Sequence, residues 1–196
     1  MLQWLLEIDK ALFNAINGSF SACDTLMWGV SILWIWIPLY VFFMFCLWQK
    51  YGSRNERGRR KGNRRAIVMI SVVVCVALCD VISARVLKPS VARLRPSHSF
   101  EFVGNIHLHE YDDGTFYKGG QYSFVSGHAS NHMAVAVLVG LLMESGIWMT
   151  LLMGWALLIG YSRVHLGVHF PSDVICGWML GGGLGWVIYM IILRKL

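Results

Sequence analysis

Long apolar runs separated by short polar breaks dominate this chain. Residues 27–48 are apolar, with Pro38 as a kink, and 66–87 are apolar except for Asp80 and Arg85. Gly127 to Met143, 147–162 and 173–193 complete the set. Each run is near the roughly 17–25 residues that a bilayer crossing requires. The fold class predicted is all-α, a polytopic transmembrane helix bundle of about five spans. Residues 1–20 differ. Leu2, Leu5, Leu6, Ile8, Leu12, Phe13 and Ile16 recur at near-helical spacing, but Glu7, Asp9 and Lys10 interrupt them. Three charges so close together predict an N-terminal amphipathic helix lying at the interface.

Composition agrees. The chain is 56% apolar and only 14% charged, where a soluble domain is about 45–50% apolar and about 25% charged. One domain over 1–196 is expected. The net charge of +6 does not indicate nucleic acid. Eight of the seventeen basic residues lie between Lys50 and Arg65, without the interleaved aromatics a stacking surface needs. Positive-inside bias accounts for them, making 49–65 a cytoplasmic loop. The segment 88–125 then becomes an external loop, the turn Glu144-Ser145-Gly146 cytoplasmic, 163–172 external, and Arg194-Lys195 cytoplasmic again. Cys23, Cys46, Cys75, Cys79 and Cys176 fall mostly in apolar runs and read as packing residues. The start, Met1 to Leu6, lacks the basic region of a cleavable signal.

This topology brings three remote polar clusters to one face: Lys88 to Pro96, Ser126-Gly127-His128, and Ser162 to Asp173. Lys88, Arg95 and Arg163 gather positive charge near an apolar slab, which is costly unless an anion answers it. Arginine forks match phosphate oxygens, and Ser126-Gly127 opens a helix whose free N–H groups favour an anion. Arg93 belongs to the first cluster. Snorkelling at helix ends explains any one of these residues but not their convergence. His169 and Asp173 are four apart. On one helix face, the carboxylate would accept a hydrogen bond from one ring nitrogen and leave the lone pair of the other aimed at phosphorus. His128 could protonate the departing oxygen.

Other polar groups carry weaker signals. His128 and His132 have the spacing of a zinc pair, without the glutamate of a metalloprotease helix. His107, His109, Glu110, Asp112 and Asp113 form a loop cluster that could touch substrate or hold a divalent ion loosely, with simple solvation the favoured reading. Asp80, inside a span, is either functional or paired with Arg85 to fix helix packing.

Lys88-Pro-Ser-Val-Ala-Arg-Leu-Arg95-Pro96 fits Lys-x6-Arg-Pro, Ser126-Gly127-His128 fits the end of Pro-Ser-Gly-His, and Ser162-Arg163-x5-His169-x3-Asp173 fits Ser-Arg-x5-His-x3-Asp. The chain thereby resembles the type 2 phosphatidic acid phosphatase (PAP2, vanadium haloperoxidase-like) superfamily in its small bacterial membrane form. The resemblance implies a lipid phosphate phosphatase working through a phosphohistidine. His169 would be the nucleophile, Asp173 its orienting partner, and His128 the acid and then the base. Lys88, Arg95, Ser126, Gly127 and Arg163 would hold the phosphoryl oxygens, with no metal or other cofactor. Val125 replaces the family's proline, a position that presets the backbone rather than touching substrate. The partners implied are the bilayer and a lipid substrate: undecaprenyl diphosphate, lipid A, phosphatidylglycerol phosphate or phosphatidic acid. The expected location is a bacterial inner membrane, with the site on its periplasmic face. The competing expectations are a vanadium-dependent haloperoxidase-like enzyme and a non-catalytic lipid-phosphate binding or transport protein.

Overall fold

The computed structural model describes residues 2–52 and 62–193. Arg194-Lys195 and most of the basic loop lie outside the described residues. The structure is all-helical. Its α-helices are α1 (Leu2–Ile16), α2 (Asp24–Ser31), α3 (Leu33–Lys50), α4 (Gly62–Asp80), α5 (Lys88–Val91), α6 (Gly127–Met143), α7 (Gly146–His165) and α8 (Pro171–Leu193). Extended backbone in the 88–125 segment pairs only as isolated bridges, Leu94 with Tyr122 and Glu110 with Phe116.

Three helical runs are long and apolar enough to cross a membrane: Arg64–Val91, Gly146–His165 and Pro171–Ile192. The pair α2 and α3 makes a fourth if its 48° bend lies within one span, and α6 is apolar but only 17 residues long. The break between α2 and α3 falls at Ile32, not at Pro38. Ile32 takes an extended conformation that ends α2, while Pro38 sits inside continuous α3.

The second apolar run continues further than its hydropathy suggests. After Asp80 the chain passes into a π-helical stretch, Val81–Leu87, and then straight into α5. Lys88 is therefore on a helix rather than in the loop. The π stretch shifts the hydrogen-bond register, so Pro89 falls in the first turn of α5, where its missing N–H is tolerated. Asp80 forms no ion pair with Arg85 among the described residues.

Helices α6 and α8 pack closely because α8 carries glycine every fourth residue along one face. A Cβ on Gly177 would lie 2.7 Å from Ser126 O, one on Gly185 would lie 2.7 Å from Ala134 O, and one on Gly181 would collide with Ser130 O. Backbones approach this closely only along a stripe of small residues. The main core joins α3, α4, α6, α7 and α8 through Phe43, Leu47, Val68, Cys75, Cys79, Leu138, Leu142 and Ile188. All five cysteines are free thiols.

The two ends of the bundle differ. At one end Lys50 donates to Leu142 O and pairs with Glu144, and Arg65 donates to Trp48 O. The turn after α6 and the flanks of the basic loop thus share an end. At the other end lie α1 and the 92–125 segment. Phe13 of α1 is buried against Phe102 and Phe170, at ring separations of 5.1 and 5.4 Å. The buried face of α1 runs through Asp9, Phe13 and Ile16, whereas Trp4, Leu5, Leu6, Ile8 and Leu12 are exposed.

Candidate active site

The Ser126-Gly127-His128 segment begins α6. Ser126 is its N-cap: the hydroxyl accepts a long bond from Ala129 N–H, and its own N–H donates to Asp173 O at 3.0 Å. The N–H groups of Gly127 and His128, at the first two helical positions, have no intrahelical acceptor. This end of α6 therefore presents free donors, with the 0%-exposed Ser126 fixed by α8.

Helix α8 starts at Pro171, so His169 precedes the helix and does not share a helix face with Asp173. Asp173 occupies the third position of α8, and its Oδ2 accepts the Phe170 N–H at 2.9 Å, the back half of a capping box. Its Oδ1 accepts from Arg93 Nη1, also at 2.9 Å. With both oxygens engaged, Asp173 lies 3.7 Å from His169 Nδ1, beyond hydrogen-bonding distance. That nitrogen is buried without a partner.

Burial holds the His169 imidazole well below its ordinary pKa, and the charges of Arg95, Arg163 and Lys88 push it the same way. The ring is neutral at neutral pH, the form with a free lone pair. The same effect locates the cations. Lys88, Arg95 and Arg163 all lie within electrostatic reach of His169, and of one another. His128, which is half-buried, faces Arg163, Arg95 and His169.

Arg95 and Arg163 are buried, yet neutral groups hold them. Arg95 donates to Tyr122 O at 3.2 Å and Val168 O at 3.3 Å. Burial and the neighbouring Arg163 push it down to about 10, so it stays charged at neutral pH. Arg163 donates to Tyr117 Oη at 2.7 Å and to Ser31 Oγ, and its Nε is buried without a partner. None of Lys88, Arg95 and Arg163 forms an ion pair among the described residues.

Arg93 is the exception among the cations of the first cluster. It bridges Asp173 and Asp9 at 2.9 and 2.6 Å, and its guanidinium lies over the Phe170 ring at 3.9 Å. Asp9 also accepts from Ser172 N at 2.8 Å and Ser172 Oγ at 2.6 Å. The charge that interrupts the apolar pattern of α1 is thus a buried tie to α8. Sequence reasoning missed Asp9, Ser172, Tyr117 and Ser31. Only Asp9 left a signal, since it lies on the same helical face as Phe13 and Ile16.

His132 Nδ1 is hydrogen-bonded to Tyr40 Oη, and its ring lies 6.4 Å from that of His128. The loop histidines are part-exposed but engaged: His107 pairs with Asp24, and His109 stacks on Trp28. Glu110, Asp112 and Asp113 are exposed as expected. Beside His128 opens a cavity of about 810 Å³ between α3, α4 and α6. Its walls are mostly apolar, among them Trp36, Phe43, Val76 and Val139, with Asp80, His128, Asn131 and His132 as polar members.

A lipid A 4'-phosphatase from Porphyromonas gingivalis is 29% identical over 98% of this chain and 76% of its own length. An undecaprenyl-diphosphatase from Sulfolobus acidocaldarius is 34% identical over 80% of this chain and 62% of its own. The crystal structure of a transmembrane PAP2-type phosphatidylglycerolphosphate phosphatase from Bacillus subtilis shares the fold, with a TM-score of 0.66 at 20% identity, over 97% of this chain and 87% of that one. Residues 66–196, which contain every member of the cage, match the family described as the PAP2 superfamily, and the chain belongs to it.

Proposed function

We propose that this protein crosses a bacterial inner membrane five times and removes a phosphate from an envelope lipid at the extracytoplasmic face. The crossings are α2 with α3, α4 through α5, α6, α7 and α8. Helix α1 lies along the interface, its exposed Trp4, Leu5 and Leu6 toward lipid. The end bearing Lys50 and Arg65 is cytoplasmic by the positive-inside bias, which puts the cage outside. The substrate is a lipid phosphate: a lipid A phosphate first, on the similarity to the Porphyromonas enzyme over 98% of this chain, then undecaprenyl diphosphate, phosphatidylglycerol phosphate or phosphatidic acid.

One observation carries this reading. Among the described residues, Lys88, Arg95 and Arg163 lie within electrostatic reach of a neutral His169 and form no ion pair, while Arg93 is doubly paired. Buried unpaired cations demand an anion, and a tetrahedral one suits two guanidinium forks plus the donors opening α6.

In the reaction the His169 ring nitrogen away from Asp173 attacks phosphorus, and the bond from phosphorus to the lipid oxygen breaks. His128, whose protonated form the anionic phosphate bound in the cage favours, gives that oxygen its proton. His128 then takes a proton from water, whose oxygen displaces His169 and releases inorganic phosphate. Asp173 positions His169, its 3.7 Å gap closing to a hydrogen bond as the ring acquires charge. Lys88, Arg95, Arg163, the Ser126 hydroxyl and the Gly127 N–H hold the phosphoryl oxygens. The cavity beside His128 receives the lipid near its phosphate.

The test is phosphate release from a panel of these lipids in detergent. His169→Ala should lose at least about a thousandfold in turnover while still inserting into membranes. Normal turnover by that variant overturns the mechanism. A wild type that binds the lipids and releases no phosphate overturns the enzyme reading in favour of a binding protein.

A further inference from the structure

Behind the cage, three side chains that the proposed chemistry does not use converge from separate segments. Asp24 begins α2, His107 lies in the external loop, and His165 ends α7. Asp24 Oδ1 is 2.7 Å from His165 Nε2, and Asp24 Oδ2 is 2.8 Å from His107 Nε2. One ligand atom from each lies within 4.8 Å of the other two. We propose that these residues bind a divalent transition-metal ion of the zinc class, in a site separate from the phosphate cage and independent of the hydrolysis reading.

The donor set selects the ion. Two imidazoles and one carboxylate suit zinc, cobalt or nickel, whereas magnesium and calcium take oxygen ligands. Zinc bonds to nitrogen and oxygen at about 2.0–2.2 Å, which puts neighbouring ligand atoms of a tetrahedral site roughly 3.3–3.5 Å apart. The two Asp24 contacts need to open by less than an ångström, and the two imidazole nitrogens, within 4.8 Å of each other, adjust toward the same spacing. Each ring proton moves from Nε2 to Nδ1, and water completes the shell, as in three-ligand zinc sites.

The backbone around the site is already fixed. Asn17 Nδ2 donates to both His107 O and His165 O at 2.8 Å, and Asn17 Oδ1 accepts the His107 N–H at 2.8 Å. Gly167, at φ +74, allows the approach, since a Cβ there would lie 2.6 Å from His107 O. His165 is buried and its Nδ1 has no partner, so no hydrogen bond other than that to Asp24 holds its ring. Asp24 and His107 are part-exposed, at 28% and 37%, so an ion can enter from water. A bound ion would staple the external loop, which carries Tyr117, to the end of α7, which carries Arg163.

The experiment uses the untagged full chain in detergent, stripped with chelator and titrated with Zn²⁺ by calorimetry. Co²⁺ absorption then reads the coordination geometry. One equivalent should bind. The unfolding temperature should rise by about 5–10 °C at a hundredfold excess over Kd. His107→Ala and Asp24→Asn should each weaken binding at least tenfold, and His109→Ala should leave it unchanged. Failure of the wild type to bind, undiminished binding by His107→Ala, or equal loss in His109→Ala overturns the assignment.

Discussion

The two sides of α6 are built for opposite purposes. Against α8 it packs backbone to backbone along Gly177, Gly181 and Gly185, leaving no room for a side chain. Against α3 and α4 it leaves a cavity of about 810 Å³ lined by valines and aromatics. His128 stands at the first turn of α6, facing His169 and the arginines yet also lining the cavity. Rigidity is concentrated on the side that fixes the proposed reacting groups, and space on the side proposed to receive the lipid.

The tight side is sharpened most by its outermost tie. Asp9 holds Arg93 and Ser172, and Arg93 holds Asp173, so α1 reaches the neighbour of His169, the proposed nucleophile, through two ion pairs. Asp9→Ala should lower kcat by about a hundredfold through misplacement of His169, with KM little changed. Asp9→Asn, which keeps an acceptor, should fall between. Wild-type turnover in Asp9→Ala would show that α8 alone positions the site.

The glycine stripe allows a paired test. Gly181→Ala drives a methyl group into Ser130 O, whereas Gly183 has open space around its Cβ position. Overpacking of this kind costs roughly 1–3 kcal/mol, so Gly181→Ala should melt several degrees lower and lose part of its activity. Gly183→Ala should match the wild type in thermal unfolding followed by tryptophan fluorescence. Equal melting of the two variants would mean the helices part at little cost and the packing is not what holds His128.

The apolar runs predicted the helical class because burial in lipid leaves a direct trace in composition, and the three motifs carried Lys88, Arg95, Ser126, Gly127, His128, Arg163, His169 and Asp173 to one end. Hydropathy misplaced the end of the second run because a π stretch lets the helix pass through Lys88 and Pro89 with no compositional mark. Four-residue spacing suggested a shared helix face for His169 and Asp173, but Pro171 starts α8 after His169 and turns Asp173 into a capping residue. Tyr117 and Ser31 were illegible for another reason. Each holds Arg163 from a distant segment, and neutral hydroxyls in such places form no pattern.

The open side of α6 gives the smallest and most selective effect. Ala77 is exposed on α4 and lines the cavity, so a larger side chain there fills space without crowding the core. Ala77→Trp should raise KM for a long-chain lipid phosphate by several-fold, within the roughly 1–3 kcal/mol that one apolar pocket contact carries. It should leave kcat/KM for a short-chain, water-soluble phosphate ester unchanged, because the cage beyond His128 is untouched. Equal losses on both substrates would place the effect in the cage. No loss on either would mean that the lipid approaches His128 from another side of α6, and that the cavity between α3 and α4 serves packing alone.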